Sequence, residues 1–411
     1  MQFTELQLNA SLLKAIAEER FQTPTQVQEQ AIPPILAKKN VIVSAQTGTG
    51  KTAAFALPIL QLLLDRQAPE KKPKRIKSLI VTPTRELCLQ IEANFKSYAK
   101  HTDLTTTAVY GGVSLAPQKE ILKEGVDILI ATPGRLIDLH KQGAIDLRAI
   151  EIFVLDEADL MLDMGFINDV TTIESLCPRK KQSLLFSATI PDKIVALSET
   201  MIKNPITIKI NPAETTAKTI GQLLYYSPKK NKTDLCLHLL RNTINGKIII
   251  FRRTRIGVDK LEETLSKNGY KVTSIHGEKT QIIRNKAIED FKNKKATILI
   301  ATDVAARGID INNVDAIINF DIPNIPETYI HRIGRTGRAG KSGIAFSFCS
   351  PDEDAYIKTI EELLQKPIKV ITDHPYPRVQ PKKQKKQPNT ISKHKKGRKS
   401  EASKKKKKRW Y

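Results

Sequence analysis

Short apolar runs rich in Val, Ile and Leu recur through the first half of the chain, at residues 41–44, 78–82, 127–131, 152–155 and 183–186. Each is closed by a turn signal and followed by a stretch of helical periodicity. Strands alternating with helices in this way predict a parallel sheet covered by helices. The same rhythm restarts at residues 247–251, 271–275, 297–301, 316–320 and 343–348, so the fold class is α/β, with two tandem domains that are each a parallel sheet flanked by helices. Leu79-Ile-Val-Thr-Pro, Ile128-Leu-Ile-Ala-Thr and Ile298-Leu-Ile-Ala-Thr echo one another, and each delivers small or hydroxyl residues to a strand's carboxyl end, where open α/β sheets bind ligands. Between the halves, residues 209–220, with Pro212, follow neither period and read as a linker. Residues 65–77, with Pro69 and Pro73, read as a basic surface loop. Beyond Pro367 the pattern ends, and from Pro375 the chain is rich in Lys, Pro and Gln with few apolar residues to bury, the composition of a disordered segment. The expected organisation is a first domain at 1–210, a linker at 211–220, a second domain at 221–370 and a basic disordered tail at 371–411.

Charge adds a partner class. The 411 residues carry 67 Lys and Arg against 43 Asp and Glu, a net +24 that favours a polyanion, nucleic acid first and an anionic membrane surface second. Residues 374–411 alone hold 16 of the basic side chains and one acid, Glu401, so +15 of that charge sits in this terminal stretch. A run such as residues 404–409 suits phosphate; a tail that merely solubilises is the alternative. Cys88, Cys177, Cys236 and Cys349 lack the spacing of a disulfide framework or a zinc site. No apolar run approaches the ~20 residues of a membrane helix, and the start lacks a basic stretch leading into an apolar one. A cytoplasmic protein with no membrane partner is expected.

The first chemical motif is Ala45, Gln46, Thr47, Gly48, Thr49, Gly50, Lys51 and Thr52, which follows the strand at 41–44 and opens a helical pattern. That is the spacing and context of a phosphate-binding loop. Gly48 and Gly50 let backbone amides turn toward anionic oxygens, and the helix adds its positive end. Lys51 reaches the β- and γ-phosphates, and Thr52 offers a hydroxyl to Mg²⁺. The strand at 152–155 runs into Asp156 and Glu157. Asp156 suits Mg²⁺ held through water, and Glu157 is placed to orient or deprotonate an attacking water, so the pair implies hydrolysis rather than storage of the nucleotide. Positive charge on the γ-phosphate is also needed, and a second domain can bring it as arginine fingers. His331, Arg335 and Arg338 fall at i, i+4 and i+7, one face of a helix, while Arg332 points elsewhere. Gly334 and Gly337 would weaken a purely structural helix there.

At this point the chain resembles the DEAD-box family of ATP-dependent RNA helicases. Asp156-Glu-Ala-Asp159 is the family's namesake, and further motifs follow in family order from Phe21 to Phe348. The compact core and short basic tail are most similar to the bacterial RhlE-type subgroup. The resemblance implies two RecA-like domains and RNA-stimulated ATP hydrolysis with Mg²⁺. Phe21-x-x-Pro-Thr-x-x-Gln28 is similar to the Q motif, in which Phe21 and Gln28 belong to the nucleotide set, Gln28 reads the adenine edge and Phe3 stacks on the base. Where the family usually has Gly before the aromatic, this chain has Arg20. Asp159, Ser187, Thr189 and His331 are implied to couple nucleotide state to domain closure, Asp310 to contact the ribose, and Arg335 and Arg338 to be the fingers. RNA contacts fall to Pro83, Thr84, Arg85, Gly111, Gly112, Thr132, Pro133, Gly134 and Arg135 in the first domain. In the second they fall to Arg252, Thr254, Gln281, Arg284, Thr302 and Arg307. Arg253 departs from the family's more apolar version of its strand end, and both added RNA binding and simple exposure to solvent stay open for it.

The activity expected is local unwinding of short RNA duplexes and remodelling of RNA or ribonucleoprotein, driven by ATP in an interdomain cleft that ATP and single-stranded RNA close together. The grip is mainly on phosphates and 2′-hydroxyls, with little base preference. Ribosomal precursor particles or RNA-decay machinery are the expected partners, and the chain is expected to act as a monomer. Two alternatives stay open: an ATP-dependent DNA helicase or translocase on the same fold, and an RNA annealer or assembly scaffold that works mainly through the tail.

Overall fold

Seven strands build the first sheet: β1 (Val41–Ser44), β2 (Ser78–Val81), β3 (Thr106–Val109), β4 (Ile128–Ala131), β5 (Ile152–Asp156), β6 (Gln182–Ser187) and β7 (Ile206–Lys209), in the order β3-β4-β2-β5-β6-β1-β7. Seven more build the second: β8 (Ile220–Tyr226), β9 (Ile248–Phe251), β10 (Val272–Ile275), β11 (Ile298–Ala301), β12 (Ala316–Asn319), β13 (Gly343–Cys349) and β14 (Lys369–Val370), in the order β10-β11-β9-β12-β13-β8-β14. Adding seven to each label of the first order gives the second, so one topology is used twice. The echo noted in the sequence falls on equivalent strands, since Ile128–Ala131 and Ile298–Ala301 hold the same place in their sheets. The computed structural model describes residues 1–46, 48–66, 74–210, 220–306, 311, 314–337 and 343–378. Most of the expected linker and the tail from residue 379 lie outside the described residues.

All pairings in both sheets are parallel among the described residues. Parallel sheets need cover on both faces, which is why the central strands read as unbroken apolar runs. Val41 and Val43 face one core with Ile80, Ile128 and Val154, whereas Ile42 faces the other with Leu79, Leu129 and Phe153. Helices fill both sides, and the helix Lys51–Leu64 is buried along most of its length. All strands of a sheet therefore end at one edge, and the loops after β1, β2, β4, β5 and β6 gather there.

Four strands escape the periodicity argument. β3, β7 and β14 are sheet edges, and β7 buries only one of its four residues. β8 alternates buried and partly exposed positions and carries Gly221 and Gln222, so it blends into the linker by composition. The second lobe also runs past the expected limit at 370. Ile371 N donates to Leu224 O at 2.9 Å and Arg378 N to Tyr226 O at 3.0 Å, while the Arg378 guanidinium grips both Asp354 carboxylate oxygens at 2.8 and 2.9 Å. Among the described residues no helix is long and apolar enough to cross a membrane.

Candidate nucleotide and RNA site

The phosphate loop sits between β1 and the helix Lys51–Leu64, with Gly48 at φ 84° and Gly50 at φ 94°. The loop is pinned at its start, where Ala45 N donates to Ser187 O at 2.9 Å, and braced by Thr49 Oγ1 donating to Gln46 O at 2.7 Å. Gln28 joins it from the side. Its Nε2 donates to Gly50 O at 3.2 Å and its Oε1 accepts from Thr25 N at 2.9 Å. A Cβ on Gly50 would lie 2.5 Å from Gln28 Nε2, so only glycine allows this approach. Thr52 stands in the first turn of the helix, and Thr47 is outside the described residues.

Lys51 Nζ lies 2.9 Å from Glu157 Oε1, both side chains nearly buried. Burial works against the lysine's charge, but the carboxylates of Glu157, Asp156 and Asp159 together hold it above its usual range. Burial, and then the neighbouring Glu157, push Asp156 above the ordinary carboxylate range. Asp156 Oδ1 is buried with no hydrogen-bond partner. Glu157 adopts φ 53°, a conformation that costs an L residue energy and is kept where position matters. One step further on, Asp159 Oδ2 accepts from Thr189 N and Thr189 Oγ1, both at 3.0 Å. Ser187 Oγ accepts from Asp159 N at 3.1 Å, so Asp159, Ser187 and Thr189 meet in one hydrogen-bonded group.

In the second lobe the turn after β8, at the place equivalent to the phosphate loop, contains no glycine. This lobe contributes instead the helix Pro326–Ile333, and His331 and Arg335 line one small cavity with Phe251, Asp303 and Thr328. The expected helical face does not continue to Arg338. The helix stops at Ile333, capped by Gly334, and Gly337 takes φ 69°, so Arg335 projects from a turn. Arg338, Arg307 and Asp310 lie outside the described residues.

Of the residues expected to contact RNA, Arg85 lies against Gly112. The Arg85 guanidinium packs so closely on Gly112, at φ 77°, that a Cβ there would be 1.9 Å from Nη1. The next residue is braced by Arg135, whose Nη2 donates to Val113 O at 2.9 Å. Thr84 caps the helix Arg85–Tyr98, and Thr132 and Pro133 open the helix Pro133–Lys141, with open space around the Gly134 Cα. Across the lobes, Gln281 Nε2 donates to Glu86 Oε1 at 2.9 Å, Arg284 Nη2 pairs with the same oxygen at 2.9 Å, and Arg85 Nη1 reaches Gln281 Oε1 at 3.5 Å. Thr254 caps the helix Arg255–Lys267, and Thr302 precedes the short helix Asp303–Ala306.

Two family models match this chain, DEAD/DEAH box helicase over residues 25–197 and Helicase conserved C-terminal domain over residues 231–340. The DEAD-box ATP-dependent RNA helicase RhpA of Helicobacter pylori is 43% identical over 351 residues, 85% of this chain and 70% of RhpA. The chain belongs to the DEAD-box ATP-dependent RNA helicase family. The ATP-dependent RNA helicase SrmB of Escherichia coli is 42% identical over 89% of this chain and 83% of its own. S. cerevisiae Dbp5 bound to RNA and ADP BeF3 matches in structure with a TM-score of 0.80 at 31% identity, over 90% of this chain and 95% of that one. The protein is thus an ATP-hydrolysing RNA helicase with tandem RecA-like domains, and the DNA-translocase and scaffold alternatives are not favoured.

Within the helicase, several charged residues do what the sequence did not reveal. Glu86 receives both Gln281 and Arg284, and nothing in its spacing marked it. Arg253 keeps an exposed side chain and also has a structural tie: its Nη2 donates to Ile322 O at 2.9 Å and Glu353 Oε1 at 3.1 Å, joining the end of β9 to the turn after β13. Arg252 stacks 4.0 Å over Phe320 beside Asp321. Phe3 is buried and stacked on Phe21, with ring centroids 6.1 Å apart, so it meets that ring rather than open space. Arg20, where the family usually has Gly, holds φ 59°. Left-handed backbone penalises a side chain, so Arg20→Gly should stabilise the fold by about 0.5–1 kcal/mol. Urea unfolding checks this, and an unchanged or lower midpoint would contradict it.

Proposed function

We propose that ATP is hydrolysed in a cleft between the lobe at 1–210 and the lobe that begins near 221, and that single-stranded RNA lying across both lobes favours the closed state. The lobe that binds the phosphates brings Lys51 to the β- and γ-phosphates, Gln28 to the adenine edge and Glu157 to the attacking water. The other lobe brings His331, Arg335 and Arg338 to the γ-phosphate and Asp310 to the ribose. Thr52 and Asp156 would hold Mg²⁺, and the unpartnered, buried Asp156 Oδ1 fits a metal-bound water. Held by these residues, the ion would offset negative charge on the phosphates. Asp159, Ser187, Thr189 and His331 would report nucleotide state to closure.

The observation that carries this reading is the cluster of Arg85, Glu86, Gln281 and Arg284, in which RNA-binding candidates of both lobes meet. A strand gripped by Arg85, Gly111, Gly112, Thr132 to Arg135, Arg252, Thr254, Gln281, Arg284, Thr302 and Arg307 is bent away from its complement, which separates a short duplex locally. The protein would act as a monomer in the cytoplasm, away from membranes, on structured RNA such as ribosomal precursor particles or RNA in the decay machinery. The basic tail from residue 379, with a net charge of +14, adds affinity without sequence preference. The test compares single-stranded RNA and DNA of one sequence as activators. Steady-state ATPase should rise at least tenfold with RNA and hardly at all with DNA, by about the discrimination a 2′-hydroxyl supports. Equal stimulation would contradict the reading.

A further inference from the structure

The helix that carries His331 has only eight residues, Pro326–Ile333, and ends at a glycine. Helices this short do not hold themselves, so contacts with the lobe must set its direction. Two inward side chains make those contacts. The Tyr329 hydroxyl donates to Gln222 Oε1 at 3.1 Å and also faces Ser347. Arg332, 2% exposed, clasps Asp303 through Nε–Oδ1 at 2.6 Å and Nη2–Oδ2 at 2.8 Å and donates from Nη1 to Asn319 Oδ1 at 3.2 Å and Asp321 O at 2.7 Å. Asn319 Nδ2 in turn donates to Ser347 Oγ at 3.2 Å. A continuous path, buried from Gln222 to Arg332 and half-buried at Asp303, therefore runs Gln222–Tyr329–Ser347–Asn319–Arg332–Asp303.

We infer that this path is a positioning device for hydrolysis, in which the Tyr329 hydroxyl on Gln222 fixes the rotation of the helix and hence where His331 and Arg335 stand. Tyr329 and Arg332, three residues apart, anchor the helix to the lobe, and His331 and Arg335 line the cavity that Arg332 and Asp303 also border. Gln222 lies on β8, the first strand after the linker, so the helix is referenced to the strand on which the second lobe is hung. One detail argues against a role in stability alone: Gln222 Nε2 is buried with no hydrogen-bond partner, an arrangement that costs stability and that an apolar pair would avoid.

The inference rests on Arg335 being a finger, so Arg335→Ala is measured beside it. Tyr329→Phe keeps the ring and removes the hydroxyl. Its RNA-stimulated kcat should fall about tenfold or more, the scale of a sub-ångström to ångström misplacement, while KM for ATP and RNA affinity stay within about twofold. Its Tm should fall by about 5 °C or less as Gln222 loses its partner. Adding Gln222→Leu removes the stranded amide and should restore Tm but leave kcat low. Recovery of kcat together with Tm, or normal kcat in Tyr329→Phe alone, would overturn the positioning role. Normal kcat in Arg335→Ala would instead overturn the finger assignment.

Discussion

Glu157→Gln is expected to lower RNA-stimulated ATP turnover by about 10²–10⁴, the range that a positioned general base contributes. The replacement is the same shape, and its side-chain oxygen can still accept from Lys51, now 2.9 Å from Glu157 Oε1. The strained backbone at φ 53° is unchanged. What is lost is the negative charge that the proposed mechanism uses to align and deprotonate water. Since Asp156 and Asp159 remain beside Lys51, nucleotide affinity should hold or rise, because one carboxylate fewer faces the phosphates. Phosphate release under saturating RNA measures the first effect, and nucleotide titration the second. Turnover at the unmodified rate would remove Glu157 from the chemistry.

Legibility followed burial and local spacing. The central strands could be read because both of their faces are covered, as with Ile128–Ala131 and Ile298–Ala301, every residue of which is buried. β3 and β7 could not, because β3 opens on Thr106-Thr107 rather than on an apolar run and three of the four residues of β7 are exposed. The phosphate loop, Asp156 and Glu157 were legible because phosphate chemistry dictates residue type and distance along the chain. Glu86, Arg253 and Arg332 were not, because each takes its role from partners far away in sequence: Arg284, Glu353 and Asp303. The expected helix through Arg338 failed at a local rule the sequence did contain, the glycine at 334 that ends it. The doubled strand order, finally, was only hinted at by the repeated Ile-Leu-Ile-Ala.

The second large effect follows from dividing the site. Lys51, Asp156 and Glu157 belong to one lobe, and His331 and Arg335 to the other. The first lobe has hydrophobic cores on both faces of its own sheet, so residues 1–210 should fold alone and still bind nucleotide. Without the guanidinium groups it should lack the factor of about 10³–10⁵ that arginine fingers contribute, and RNA should not stimulate it. Phosphate release by the 1–210 fragment, compared with the full chain at saturating ATP and RNA, is the most direct measurement of whether two lobes make one hydrolytic site. Nucleotide binding with turnover at least about 10³ below the full chain is the predicted result; equal turnover by the fragment would contradict it.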